Sequence, residues 1–176
     1  MKGKFIEVYD NYIPPVFQNY IEDLILSKNV NLLFPLYINT SLSKGDNEDF
    51  GFENQYYTDD LHKGTIYQIL YFLAIKRKII IQDIYLQRVF LQTISKTPFI
   101  PKKHTDTTYP HWVCLYYVND SDGDTILYDD NGKEIKRISP KKGRIVFFDG
   151  TIEHSAGVPT QTNRIVVNIA FKGIFI

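Results

Sequence analysis

The sequence predicts an α+β fold in one domain, with helices in the first half and a sandwich or barrel of short strands in the second. Three observations predict it. Apolar residues recur at helix spacing over 16–27 and again over 61–78. From residue 84 onward they occur instead in short β-branched and aromatic runs. The dipeptides Asp122-Gly123, Asn131-Gly132 and Lys142-Gly143 separate several of those runs, as turns between strands do. A chain of 176 residues with 44% hydrophobic content is long and apolar enough for a real core. No repeat and no Pro/Gly/Ser-rich linker divides it. The expected organisation is therefore a single domain over 1–176, with a helical support region over about 1–83 and a β-rich core over about 84–176.

In chain order, Phe5 to Tyr9 reads as a short strand. Asp10 and the pair Pro14-Pro15 introduce a helix over Val16 to Ser27, with Phe17, Tyr20, Ile21, Leu24 and Ile25 on one side. Val30 to Thr40 is apolar and β-branched enough for a strand. Residues 42–60 carry six acids and one lysine and read as a long acidic loop, either a solvated insertion or a substrate lid. A second helix is expected over Leu61 to Lys78, where Ile66, Ile69, Leu70, Leu73 and Ala74 form the apolar stripe. The basic residues 76–78 at its end oppose the helix dipole. The expected strands of the second half are Tyr85 to Ser95, Trp112 to Asn119, Thr125 to Asp129, Glu134 to Ile138, Arg144 to Phe148 and Arg164 to Phe171.

Twenty basic residues balance twenty acidic ones, which argues against a dedicated nucleic-acid binder. The single cysteine, Cys114, excludes an intrachain disulfide and suits a reducing compartment. The N-terminal residues lack the apolar core of a signal peptide, and the longest apolar stretch, Leu70 to Ile75, is too short to span a bilayer. The expectation is a cytoplasmic protein with no membrane association.

The chemistry concentrates in a few residues. His104 and Asp106 flank one threonine, and residues two apart in extended backbone point to the same side. His154 follows the apolar strand ending at Phe148 and the turn at Asp149-Gly150. Two imidazoles and one carboxylate make the facial set that holds non-haem Fe(II) and leaves positions open for ligands. Arg164 opens the last strand, ten residues after His154, with Val166, Asn168 and Ala170 on the same face. A guanidinium aimed into a partly apolar cavity calls for an anionic partner, and its planar fork suits a carboxylate. His111 and His62 lack matching partners and read as structural or surface residues. Trp112 and Cys114 read as packing residues on the face opposite Tyr117, and Tyr109 as a substrate contact.

His104-Thr105-Asp106, the strand Val113 to Asn119, Gly123-Asp124-Thr125, the run Pro140 to Phe148, His154 and Arg164 together resemble the prolyl 4-hydroxylase branch of the Fe(II)/2-oxoglutarate-dependent dioxygenase superfamily. The resemblance covers about residue 85 to the C-terminus. It implies a double-stranded β-helix, or jelly roll, flanked by N-terminal helices. It implies Fe(II) on His104, Asp106 and His154, with 2-oxoglutarate and O2 as cosubstrates. The far carboxylate of 2-oxoglutarate is expected on Arg164, with Tyr117 hydrogen-bonding the same carboxylate beside it. The activity implied is hydroxylation of a substrate C–H bond with release of succinate and CO2. A peptidyl proline, a free amino acid or another small molecule fits as substrate; a nucleic acid fits poorly, because Ala170 stands where demethylases carry a second arginine. A jelly roll that binds a ligand without catalysis is the alternative. Two positions depart from the family pattern: Asp124 follows Gly123 where a second glycine is usual, and Gln92 lies where a tyrosine often lines the cosubstrate pocket.

Overall fold

The computed structural model describes residues 4–26, 37–39, 51–55 and 60–176, with side chains over 4–26 and 64–176. Its elements in chain order are β1 (Ile6–Tyr9), α1 (Pro15–Leu26), β2 (Tyr37–Asn39), β3 (Gly51–Gln55), α2 (Asp60–Arg77), β4 (Ile79–Gln92), β5 (Trp112–Tyr117), β6 (Thr125–Tyr128), β7 (Glu134–Ile138), β8 (Ile145–Asp149), β9 (His154–Ala156) and β10 (Arg164–Phe175).

The helices start and stop where local chemistry dictates. In α1, Pro15 sits in the first turn, where its missing N–H costs nothing, and the Pro14 carbonyl accepts from the amides of Phe17 and Gln18. Helix α2 ends in Lys76 and Arg77, and Lys78 takes a left-handed φ of 51° that turns the chain straight into β4. No described helix is long and apolar enough to cross a membrane.

The strands form two antiparallel sheets. The larger runs β1-β8-β5-β10-β4-β3-β2 and the smaller β7-β6-β9. His104 adds one more rung beside β9, exchanging two backbone hydrogen bonds of 2.9 Å with His154. Two facing antiparallel sheets with helices against the larger one make the expected jelly roll.

Alternation along the central strands assigns each side chain to one of two cores. On β5, Cys114 and Tyr116 join the core under the helices, whereas Val113, Leu115 and Tyr117 join the core between the sheets. Strand β8 splits likewise, Ile145 and Phe147 against Val146 and Phe148. On β10, Ile165, Val167 and Ile169 face the helices and Val166 faces the second sheet. Ile66, Ile69, Leu70 and Leu73 of α2 and Ile21 of α1 complete the first core, all fully buried. Burying such side chains contributes about 1.5–3 kcal/mol each.

Several boundaries differ from the sequence reading. Residues 51–55 lie within the stretch read as an acidic loop but form β3, paired to β4 from Gly51↔Gln92 to Gln55↔Arg88. Apart from β3 and Asp60, the stretch 42–60 lies outside the described residues. So does most of the strand expected over Val30 to Thr40, of which Tyr37–Asn39 is described as β2. β4 begins at Ile79 and β10 runs on to Phe175 because each supplies the other's hydrogen-bond partners beyond the apolar runs. The first 83 residues thus contribute strands to the larger sheet as well as helices. The Asn131-Gly132 turn forms as expected, with Gly132 at φ 77° and the Asp129 carboxylate accepting from the amides of Asn131 and Lys133.

Candidate functional site

The open end between the two sheets is a cavity of about 610 Å³, within the range of small-molecule sites. His104, Asp106, His154 and Arg164 all line it. One ligand atom from each of His104, Asp106 and His154 can be chosen so that all three lie within 4.8 Å of one another. The backbone rung between His104 and His154 holds the two imidazoles with ring centroids 4.7 Å apart.

The hydrogen bonds around these side chains leave an unmet demand at one place. The Asp106 carboxylate is fully buried. Its Oδ1 accepts from Arg88 Nη2 at 2.6 Å and from Asn168 Nδ2 at 2.9 Å. Its Oδ2 is buried and has no hydrogen-bond partner. Burial by itself would raise the Asp106 carboxyl, but His154, Arg88 and His104 and the Asn168 hydrogen bond together hold it below the usual carboxylate range. His154 is the mirror case. Burial pushes its imidazole down to about 4 against the pull of Asp106, so the ring is neutral near pH 7. Its Nδ1 lies 3.2 Å from the Ile152 carbonyl, which assigns the ring proton there and leaves a lone pair on Nε2. That Nε2 sits 3.6 Å from Asp106 Oδ2. These two lone-pair atoms, the carboxylate oxygen buried, face each other with no proton to share. A cation resolves that repulsion, so the donor set fits Fe(II).

At the other end of the cavity, Arg164 is 3% exposed. Its Nη2 donates to Thr125 Oγ1 at 2.9 Å, its Nε is buried without a partner, and its guanidinium lies over the Tyr117 ring at 5.6 Å. No described acid forms an ion pair with it, so a ligand carboxylate meets an unsatisfied buried cation. Tyr117 stands behind this point and is not part of the cavity wall. Its hydroxyl donates to Thr125 Oγ1 at 2.7 Å, with the Ile138 carbonyl a further 3.3 Å contact. Thr125, which does line the cavity, connects Tyr117 and Arg164.

Neighbouring glycines shape both ends. A Cβ on Gly123 would lie 2.6 Å from the Gly157 carbonyl and 2.9 Å from Arg164 Cδ, so glycine is required there. The next position has no such limit: Asp124 turns its carboxylate toward Arg137, 3.8 Å away. The Asp122-Gly123 pair forms no hairpin, because Asp122 accepts from the amides of Thr160 and Gln161 and from the Thr160 hydroxyl, anchoring the loop that leads to Arg164. Gly150 opens the turn before His154, and a Cβ there would overlap the His111 ring. His111 is held by the Tyr109 carbonyl at 2.7 Å and Thr107 at 3.1 Å, so it is a structural residue that cannot yield freely. Gly150→Ala is expected to cost about 1–3 kcal/mol by overpacking, read as a lower midpoint in urea unfolding with an unchanged slope.

Sequence reasoning brings His104, Asp106, His154 and Arg164 to one cavity, and Val166 and Asn168 follow Arg164 on its wall. It misses Arg88 and Thr125. Arg88 faces Asn168 across the β4–β10 register, a relation that follows only once those strands are known to pair. Gln92 is buried, but β4 presents Arg88 and Phe90 to the cavity instead. Tyr109 is 69% exposed and its ring lies beside that of Tyr85, outside the cavity wall.

The model of the 2OG-Fe(II) oxygenase superfamily matches residues 95–172, the stretch that bears His104, Asp106, His154 and Arg164. No curated protein sequence matches the chain. Among solved structures, a prolyl hydroxylase from Trichoplax adhaerens, in complex with a peptide fragment of the hypoxia inducible factor oxygen degradation domain, aligns with TM-score 0.71 at 15% identity, over 96% of this chain and 84% of that one. A prolyl-4-hydroxylase from Pseudomonas putida aligns with TM-score 0.65 at 11% identity, over 97% and 94%. The viral collagen prolyl hydroxylase from Paramecium Bursaria Chlorella virus-1, in its 2OG complex, gives TM-score 0.62 at 14% identity, over 96% of each chain. These structures share the fold of this chain, and the stretch that the 2OG-Fe(II) oxygenase superfamily model matches carries the paired unmet demands for a cation and a carboxylate.

Proposed function

We propose that this protein hydroxylates a C–H bond of its substrate, consuming O2 and 2-oxoglutarate and releasing succinate and CO2, with His104, Asp106 and His154 as the Fe(II) ligands and Arg164 as the anchor of 2-oxoglutarate. The observation that carries the reading is the pair of opposite demands in one cavity: Asp106 Oδ2 facing His154 Nε2 at one end, and the guanidinium of Arg164 without a carboxylate at the other. When bound, Fe(II) with 2-oxoglutarate supplies the oxidising power, for which the protein has no group of its own.

The chain's own residues do the rest. Neutral His154 and ionised Asp106 present lone pairs without first losing a proton at neutral pH. Arg164 and the Thr125 hydroxyl receive the far carboxylate, and Tyr117 supports both from behind through the Thr125 hydrogen bond and its ring. Fixing that end orients the other toward the three ligands. Val113, Leu115, Phe148 and Val166 keep the floor apolar and limit water at the reacting end. A peptidyl proline is the substrate that the fold's likeness to prolyl hydroxylases supports.

The test is an anaerobic titration of the apoprotein with Fe(II) and 2-oxoglutarate, followed by visible spectroscopy. A metal-to-ligand charge-transfer band is expected only when both are present, and succinate should accumulate on admitting O2. A folded protein that gives no band with iron in excess would sink the proposal and leave a ligand-binding jelly roll in its place.

A further inference from the structure

Asp106 has two oxygens, and the fold treats them differently. Oδ1 is held by two donors from two adjacent strands, Arg88 Nη2 of β4 and Asn168 Nδ2 of β10. These two residues are directly opposed in the β4–β10 register, so their side chains rise from one rung of the larger sheet. Oδ2 receives nothing and looks toward His154.

The orientation of Asn168 is not arbitrary. Asp106 Oδ1 can only accept, so the amide must turn its nitrogen to it, and Asn168 Oδ1 is thereby left buried without a donor. Asn168 is 6% exposed. An unpaired buried carbonyl oxygen is destabilising. An apolar side chain would avoid that penalty, so self-stability does not account for asparagine at this position. Its contact with Asp106 does.

We infer that Arg88 and Asn168 are positioning residues that clamp the outer oxygen of Asp106, confining a bound cation to Oδ2 alone and denying it two-oxygen chelation by the carboxylate. This rests on the metal site proposed above. The consequence is economy of ligand positions: a carboxylate that gives one oxygen leaves one more place on the ion for exogenous ligands. Both residues act through Asp106.

The experiment uses Mn(II) and the full-length apoprotein, with free Mn(II) followed by electron paramagnetic resonance, beside thermal melts of the metal-free protein. Arg88→Met and Asn168→Ala are each expected to raise the Mn(II) dissociation constant roughly 10- to 100-fold, the usual effect of losing a partner that orients a ligand. Arg88→Lys keeps a donor for Oδ1 and should restore affinity to within a few-fold of wild type. Asn168→Ala should melt in its metal-free form close to the wild-type temperature, because the lost hydrogen bond to Asp106 is offset by removal of the unpaired Oδ1. Equal Mn(II) affinity in wild type, Arg88→Met and Asn168→Ala would overturn the clamp while leaving the metal site standing. Loss of affinity together with a lowered metal-free melt of Asn168→Ala and no rescue by Arg88→Lys would reduce both residues to structural support, and also overturn it. A wild-type protein that takes up no Mn(II) and no Fe(II) overturns the metal reading itself.

Discussion

Replacing His154 with alanine is expected to abolish Fe(II) binding and bring succinate formation to background while the protein stays folded. The loss should exceed the roughly 10- to 100-fold that removal of an outer partner causes, because the imidazole itself supplies a lone pair at the point where Asp106 Oδ2 lacks a partner. Folding should survive for a local reason. The rung to His104 is made by the backbone of residue 154, with two 2.9 Å bonds that alanine keeps. The ring contributes an edge contact to Phe148 at 5.3 Å, whose loss is a modest packing cost. Isothermal titration with Fe(II) under anaerobic conditions, beside a far-ultraviolet melt, separates the two effects. Retained affinity in a folded His154→Ala variant would remove His154 from the ligand set.

Replacing Arg164 with methionine should raise the 2-oxoglutarate concentration needed for half-saturation by about two to three orders of magnitude, in line with the roughly 2–5 kcal/mol lost when one partner of a buried charge pair is truncated. Without cosubstrate the effect on stability should run the other way. Arg164 is a buried cation whose Nε has no partner and whose Nη2 relies on one hydroxyl. An apolar side chain of similar length relieves that demand, as such replacements often do. The variant is therefore expected to melt at or above the wild-type temperature in the absence of 2-oxoglutarate and to lose the upward shift that 2-oxoglutarate produces in wild type. Saturating cosubstrate should recover much of the turnover, since the contact binds rather than reacts. A variant with unchanged half-saturation would show that the carboxylate lies elsewhere.

The helices and most strands of the second half were legible because their apolar spacing is set by the cores they face. Ile66, Ile69, Leu70 and Leu73 are buried together on α2, and the alternation of β5 matches its two cores residue by residue. The donor types of the cavity were legible too, since His104, Asp106, His154 and Arg164 carry chemistry that neighbouring residues lack. The rest depended on tertiary pairing. Strand β3, with Gly51, Glu53, Asn54 and Gln55, has little strand propensity and pairs along β4. Strand β9 is only His154–Ala156 and is defined by its partner β6 and by His104. Arg88 and Thr125 acquire meaning when β4 meets β10 and the two sheets face each other, which no local pattern encodes. Tyr117 shows the complementary limit: the family resemblance implies a hydrogen bond from it to the cosubstrate carboxylate, but its hydroxyl is directed to Thr125 rather than to the cavity.

The division of β5, β8 and β10 between two cores constrains how this chain can change in length. On these strands every second residue serves the helices and the intervening ones serve the cavity. Substitution at one position disturbs one side. Insertion or deletion of a single residue within β10 would exchange the two sets at once, turning Ile165 and Val167 toward the cavity and Arg164 and Asn168 toward the helices. Length variation among descendants of this sequence should therefore collect where no such double coding exists, as in the Asp129–Gly132 turn at the far edge of the smaller sheet. A lineage can lengthen that turn freely, whereas its central strands must keep their count.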